Sequence, residues 1–373
     1  MSGFDRLKRV RIAGRGVAAL CCARVLAEHG WDVRLGAAPP PRLPLLVLNA
    51  VTVALLEEVF GAGEIRRAGG HPVRARRVRW GSVPHFAEVE ERSLAVAGDV
   101  LVESLLAELL ACHAHRVERE PLETPEPGAS PTIAADGGWT IAGGGGSGED
   151  RRQCWGTRTL LAGELSLQAS DDATAWMEST PRGWVFMAPR SRERALVQAV
   201  VPAPAGDPRV QLLALLEETR EIRHQVGGHL DDVRIFATAP ALAEPLCRPG
   251  WIAVGEDAVR LDPLSGEGAG YAMRTAILAA SVLDGIASGQ PAAEGLSHYR
   301  ARLHVTFAAH LRACLAFYDA AGFDATWDAE RRVTRAGLDH MQELLATWPG
   351  FTLGLRGFTL MPLTPTRDGS RGP

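Results

Sequence analysis

Residues 251–280, WIAVGEDAVRLDPLSGEGAGYAMRTAILAA, constrain the fold of this chain more than any other stretch. Trp251–Gly255 is a short apolar run suited to a buried parallel strand. Glu256–Gly270 is a loop with four carboxylates, a proline and three glycines, and Tyr271–Ala280 is an Ala-rich helix candidate without a breaker. A strand that feeds a Gly-rich loop and then a helix turns unpaired amides and a positive dipole end toward one spot. Such a spot suits an electron-rich, partly anionic ligand. A second element of the same kind stands near the N-terminus. Val10–Ala13 reads as a strand, Gly14-Arg-Gly-Val-Ala-Ala19 as a turn, the run to Glu28 as a helix, and Trp31–Leu35 as the next strand. This is a βαβ unit with G-x-G-x-x-A at its first turn. Gly14 permits the tight turn, Gly16 lets a pyrophosphate approach the backbone, and Ala19 lets the helix lie close on the sheet. The pattern points to dinucleotide binding, although the second strand ends in Leu35-Gly36 where an acid usually holds the ribose hydroxyls.

The rest of the composition mainly excludes. A chain of 373 residues with 46% apolar and 23% charged residues has length for a real core and reads as globular. A net charge of −4 offers nothing to nucleic acid or to an anionic membrane. No run of membrane length and no secretory signal is visible, which points to the cytoplasm. Six cysteines are scattered without metal-ligand spacing and read as reduced, packing thiols. Lys8 is the only lysine, every other cation being arginine.

The elements of the nucleotide site flank a long insertion. Asn49–Phe60 and Val100–His113 have helical spacing, while Val73–Trp80, Phe86–Ala97, Trp176–Val201 and Val233–Ala237 read as strands of a second sheet, with a helix over Val210–His224. Residues 37–44 and 118–131 are Pro-rich, and 143–148 form a Gly-Ser hairpin tip with no strand-to-helix context for a phosphate loop. From Glu294 the chain is helical, over Glu294–Ala320 and Asp328–Trp348. The expected fold is α/β, with α+β character in the second domain. Residues 1–72, 98–170 and 245–290 form a discontinuous Rossmann-like nucleotide-binding domain, 73–97 and 171–244 an inserted, mostly antiparallel sheet domain for substrate, and 291–373 a helical C-terminal region.

Two separated fingerprints, the N-terminal G-x-G-x-x-A and G-(D/E)-x5-D-P-L-S-G-x-G over Gly255–Gly268, resemble those of the FAD-dependent aromatic monooxygenase and tryptophan-halogenase superfamily. The resemblance covers about residues 8–335 and implies a Rossmann-like domain of the aromatic hydroxylase type with FAD as cofactor. It implies that Gly14, Gly16 and Ala19 hold the pyrophosphate and that Glu256 bonds the ribityl or pyrophosphate portion; Asp257 reads either as an addition to the pyrophosphate region or as a cap of the local turn. It further implies that Asp262, Pro263, Leu264, Ser265, Gly266, Glu267, Gly268 and Ala269 lie along the isoalloxazine, the N–H groups of the loop, which Pro263 lacks, facing charge that builds on the reduced ring. Asp262 also reads as the cap of that loop, and Arg42 as a solvated charge of the Pro-rich loop or a cofactor contact from it. Arg182-Gly-Trp-Val-Phe-Met-Ala-Pro189 is similar to the halogenase Trp-x-Trp-x-Ile-Pro segment, and Arg79-Trp-Gly81 to a strand of the same subset. The tail Arg312–Arg332 resembles flavoproteins that hydroxylate a tryptophan in a partner polypeptide during quinone cofactor maturation.

These likenesses imply oxygen transfer from a flavin hydroperoxide to an electron-rich aromatic, within a peptide or protein, with small-molecule hydroxylation or halogenation, or a degenerate maturation chaperone, as alternatives. Trp184 and Phe186, at i and i+2 on one strand face, read as a wall beside the flavin or as core. His71 and His85 read as candidate bases or as structural residues. Phe317, Tyr318, Phe323 and Trp327 read as core or as a docking face. A halogenase needs a lysine between flavin and substrate, a place Lys8 does not reach. Val102, Gly163-Glu164 and Glu256 replace the Arg, the Asp-Gly pair and the Asp of the pattern. The chain is therefore expected to hold FAD weakly and to draw electrons from a separate reductase or small reductant.

Overall fold

A computed structural model describes residues 8–36, 45–61, 63, 67–120, 138–143, 152–168, 171–204, 206–230 and 232–363. Seven helices of two turns or more stand among the described residues: α1 (Val17–Glu28), α2 (Ala50–Phe60), α3 (Gly98–His113), α4 (Pro208–Glu218), α5 (Gly268–Ala287), α6 (Ala292–Ala320) and α7 (Asp328–Ala346).

The N-terminal βαβ unit seeds a six-stranded sheet in the order 247–248, 251–253, 139–142, 9–13, 32–36 and 117–120. Its strands run parallel except for the first pair. Alternation decides the faces: Val10, Ile12, Val33, Leu35 and Ile141 enter one core with α1, α3 and α5, while Arg9, Arg11 and Arg34 leave it. Helix α1 is buried on nearly every side, which is why Cys21 and Cys22 serve there as small apolar groups.

The second sheet has nine strands, mostly antiparallel. Its centre is formed by Thr159–Leu167, Arg194–Val201, Gly183–Pro189, Thr174–Thr180 and His71–Arg79, in that order. The 71–79 and 174–180 strands pair in parallel. Val185, Met187, Val197 and Ala199 face Leu212, Leu215 and Leu216 of α4. On the other face Met177, Trp184, Leu196 and Val200 form a second core with Cys314, Tyr318, Phe323 and Trp327.

Most expected elements are present with shifted ends; α2, for example, follows Asn49, whose side chain accepts from the Thr52 N–H. Residues 159–167, expected with the nucleotide-binding part, hydrogen-bond instead into the nine-stranded sheet. Strands Leu46–Leu48 and Val117–Glu120 and the hairpin Leu353–Arg356/Thr359–Pro362 carry too few alternating apolar residues to be legible. The Pro-rich run 118–131, read as loop, opens with that edge strand. Tyr318, Phe323 and Trp327 are buried, and only Phe317 of the four aromatics is exposed. Among the described residues no helix is long and apolar enough to cross a membrane.

Candidate functional site

The two glycine turns meet. Gly14 sits at φ 119° and Gly255 at φ 60°, both in the region that favours glycine. A Cβ added to Gly255 would lie 2.6 Å from the Ala18 Cβ, so the second turn is packed on the first turn of α1. Ala19 has the complementary role: it is fully buried, and a Cβ at Gly143 would lie 3.4 Å from its own.

Helix α1 follows Gly16 and α5 follows Glu267, and neither N-terminus has a side-chain cap. The leading amides of an uncapped helix need an outside acceptor. Both ends open on one cavity of about 270 Å³, lined by Gly16, Val17, Ala18, Glu256, Pro263, Gly268 and Ala269 and closed by Leu160, Gln198 and Phe236 of the larger sheet. At Gly268 a Cβ would meet nothing within 4 Å, so that glycine faces open space.

A second cavity, of about 220 Å³, adjoins the first across Pro263. Leu45, Leu46, Gln198, Leu261, Gly268 and Ala269 line both. The second is bounded by Met177, Trp184 and Phe186 on one side and by Leu264 and Gly266 on the other. Trp184 and Phe186 line this cavity, and Trp184 is at the same time buried in the second core with Phe186 packed against it.

The loop between the cavities is held from behind. Pro263–Ser265 makes one 3-10 turn, capped by Asp262, whose Oδ1 accepts from the Leu264 N–H at 3.0 Å, and closed by Gly266 at φ 63°. Asp262 is fully buried. Its Oδ2 pairs with Arg158 Nε at 2.9 Å and accepts from the Tyr318 hydroxyl. Arg158, itself 1% exposed, also donates to Glu330 Oε2 and to Thr334 Oγ1, each at 2.9 Å. The Asp262 N–H donates to His310 Nε2 at 2.8 Å, which requires a neutral ring. Burial lowers the His310 pKa, consistent with that, and burial pushes the Tyr318 hydroxyl well up, keeping it a donor.

The remaining candidates divide. Leu264 packs on the second core, Ser265 Oγ lies 3.3 Å from the Glu267 N–H, and Glu267 pairs with Arg274 at 2.6 Å. Asp257 is buried and pairs with Arg152 at 2.8 Å, a local brace. His71 Nε2 lies 2.5 Å from the Asp172 carbonyl, and His85 is exposed; neither lines either cavity. A base role at the cavities is therefore removed from both histidines. Arg42 lies outside the described residues. Lys8 donates to the His29 carbonyl and to Asp284, each at 2.9 Å, at the end of α1 opposite Gly16.

Arg158, Glu330, His310 and Tyr318 escape a reading of the sequence because their pairings reach across 48 to 172 residues. One signal was available: His310, Cys314 and Tyr318 recur at i, i+4 and i+8 beside Leu311 and Leu315, a polar stripe inside a buried helix face.

No protein-family model and no curated protein sequence matches this chain. Solved structures do. The chain superposes on the peptidyl tryptophan dihydroxylase QhpG, described as essential for tryptophylquinone cofactor biogenesis, with a TM-score of 0.71 and 17% identity, covering 95% of this chain and 86% of that one. On the myxobacterial chondrochloren halogenase CndH, an FAD-dependent halogenase, the TM-score is 0.73 at 17% identity, over 91% and 90% of the two chains. On Pseudomonas aeruginosa PqsL in complex with 2-aminobenzoylacetate it is 0.64 at 17% identity, over 89% and 99%. The shared fold is that of these flavin-dependent hydroxylases and halogenases.

Proposed function

We propose that the chain is an FAD-dependent monooxygenase that hydroxylates an electron-rich aromatic, foremost a tryptophan side chain within a peptide or protein. The observation that carries this is the convergence of two uncapped helix N-termini on one glycine-lined cavity that opens into a second, aromatic-walled one. The residues present fit FAD. Amides at Gly16–Ala18 suit its pyrophosphate, Glu256 accepts from its ribityl hydroxyls, and the α5 N-terminus at Gly268–Gly270 suits its electron-rich ring edge. When bound, FAD supplies activation of molecular oxygen for transfer to a ring.

The chain's own residues bind, orient and exclude water. The leading amides of α5, at Gly268–Gly270, and its dipole stabilise negative charge at the ring edge, while the amides of 262–267 are engaged within the turn and hold its shape. Met177, Phe186 and Trp184 hold an aromatic flat against the loop side of the cavity, and Pro263 and Leu264 keep that boundary dry. Arg158, Glu330 and Tyr318 fix Asp262 and so the height of the loop; they are positioning residues. Hydroxylation is favoured over halogenation because the sole lysine is engaged at the far end of α1. The tryptophylquinone relative supports the peptidyl-tryptophan reading as the finer choice. The separate electron donor, the discontinuous domain division and action in a reducing compartment, where six free cysteines are stable, belong to the same proposal.

The test is an FAD titration followed by mass spectrometry of a tryptophan-containing peptide with chemically reduced flavin and oxygen. Gain of one oxygen's mass is expected, together with a protein that leaves purification short of stoichiometric FAD. Gly268→Asp, which has room to fold but puts a carboxylate at the α5 N-terminus, should weaken FAD roughly tenfold or more. Unchanged affinity in that variant overturns the cofactor assignment, and a chlorinated product in the presence of chloride overturns the hydroxylase assignment.

A further inference from the structure

The second cavity has polar groups that its apolar lining does not explain. Trp184 is 2% exposed, yet its indole Nε1–H has no hydrogen-bond partner among the described residues. A buried donor left unpaired is costly, and the cost is relieved when an occupant supplies an acceptor. Arg76 lines the same cavity, its guanidinium 5.7 Å from the Phe186 ring centroid. One of its terminal nitrogens donates to Glu91 Oε1 at 2.7 Å, and that oxygen also accepts from Ser93 Oγ at 2.7 Å. Glu91 is therefore saturated on that side and acts as a clamp that orients Arg76, while the Arg76 Nε–H is buried without a partner among the described residues. Gln198, on the strand partnered with Phe186, lines both cavities and adds an amide at their junction.

Indole and guanidinium N–H groups donate and do not accept. Resting on the monooxygenase reading above, we propose that the site selects aromatics carrying a hydrogen-bond acceptor beside the ring, a carbonyl or carboxylate received by Arg76 and, once the indole shifts to open its closed-off N–H, by Trp184 Nε1, with Gln198 free to serve either polarity. A peptide bond flanking a tryptophan and the acid group of a free arylalkanoate present the same chemistry to these donors. A bare arene leaves both donors unsatisfied.

Calorimetric binding to the full-length protein, with and without FAD, tests this without needing turnover. The probes share one ring: 3-methylindole without an acceptor, N-acetyltryptophanamide with carbonyls, and indole-3-propionate with a carboxylate. Wild type is expected to bind at least one acceptor-bearing probe roughly tenfold or more tighter than 3-methylindole. Trp184→Phe and Arg76→Gln should each bring the ratio of acceptor-bearing-probe affinity to 3-methylindole affinity close to one, whatever either does to ring binding itself. Arg76→Lys, which keeps charge but loses the fork, should restore little of that preference. The carbonyl probe winning assigns a peptide substrate; the carboxylate probe winning assigns a free acid. Equal affinity for all three probes, or variants that lower all three together, overturns the proposal. Acceptor-dependent binding in a protein that takes up no FAD would sink the monooxygenase reading and leave this one standing.

Discussion

Arg158 shows what one residue can decide. Its charge is fully buried, held by Asp262, Glu330, Thr334 and the ring of Tyr318, 5.2 Å from its guanidinium carbon. Removing one partner of a buried ion pair leaves the others unpaired, at about 3–5 kcal/mol. Arg158→Met should lose stability on that scale in denaturant titration, and Glu330→Gln less, because it retains a hydrogen-bonding group. The Arg158 variant should also lose FAD, since Asp262 is freed to leave the loop. Stability at the wild-type level in Arg158→Met refutes the bracing role. Apart from the polar stripe His310–Cys314–Tyr318, little local in the sequence announces this cluster: Arg158 stands before an ordinary apolar run, and Tyr318, Glu330 and Thr334 lie on helices far down the chain. The loop it braces was legible, because turn chemistry is local and glycines at fixed spacing record where backbone must come close.

At the scale of elements, the two βα turns act as one. The contact between Gly255 and Ala18 is the place where a strand loop seats on the start of another helix. Gly255→Ala combines a left-handed φ of 60° with a 2.6 Å clash and should destabilise by about 2 kcal/mol or more, read as a lowered Tm with reduced FAD uptake. Gly61→Ala, at φ 96° but with nothing within 4 Å of the added carbon, carries the conformational cost without the clash and should leave FAD uptake unchanged. Equal loss of FAD in both variants would count against a shared cleft. Strands with strong alternation were readable, whereas the Val-Glu-Arg-Glu edge strand at 117–120 takes its identity from its neighbour's hydrogen bonds.

The whole molecule depends on its C-terminal helices. The Trp327 indole donates to the Arg182 carbonyl at 3.0 Å, Ser179 to the Ala321 carbonyl at 3.0 Å, and the Asp324 N–H to the Pro181 carbonyl at 2.8 Å. Helix α6 carries three histidines whose pKa values burial lowers: His298, to about 4, His304 and His310. A depressed histidine pKa means that the unfolded chain binds more protons below its ordinary pKa of about 6.5, so stability is complete above that pH and falls as the pH drops below it. For His298 the loss continues to about pH 4. Thermal melts should show Tm declining from about pH 6.5 downward, with a shallower slope in His298→Gln; an unchanged slope removes that residue from the account.

The cleft where α1 and α5 begin also bears on how this protein is handled. Two peptide dipoles aim their positive poles at one hollow, and an unladen molecule leaves that field to whatever mobile anion arrives first. On the proposed flavin reading, phosphate or sulfate in a column buffer would compete for the seat of the nucleotide, and the colour of a preparation would record its ionic history as much as its intrinsic appetite for flavin.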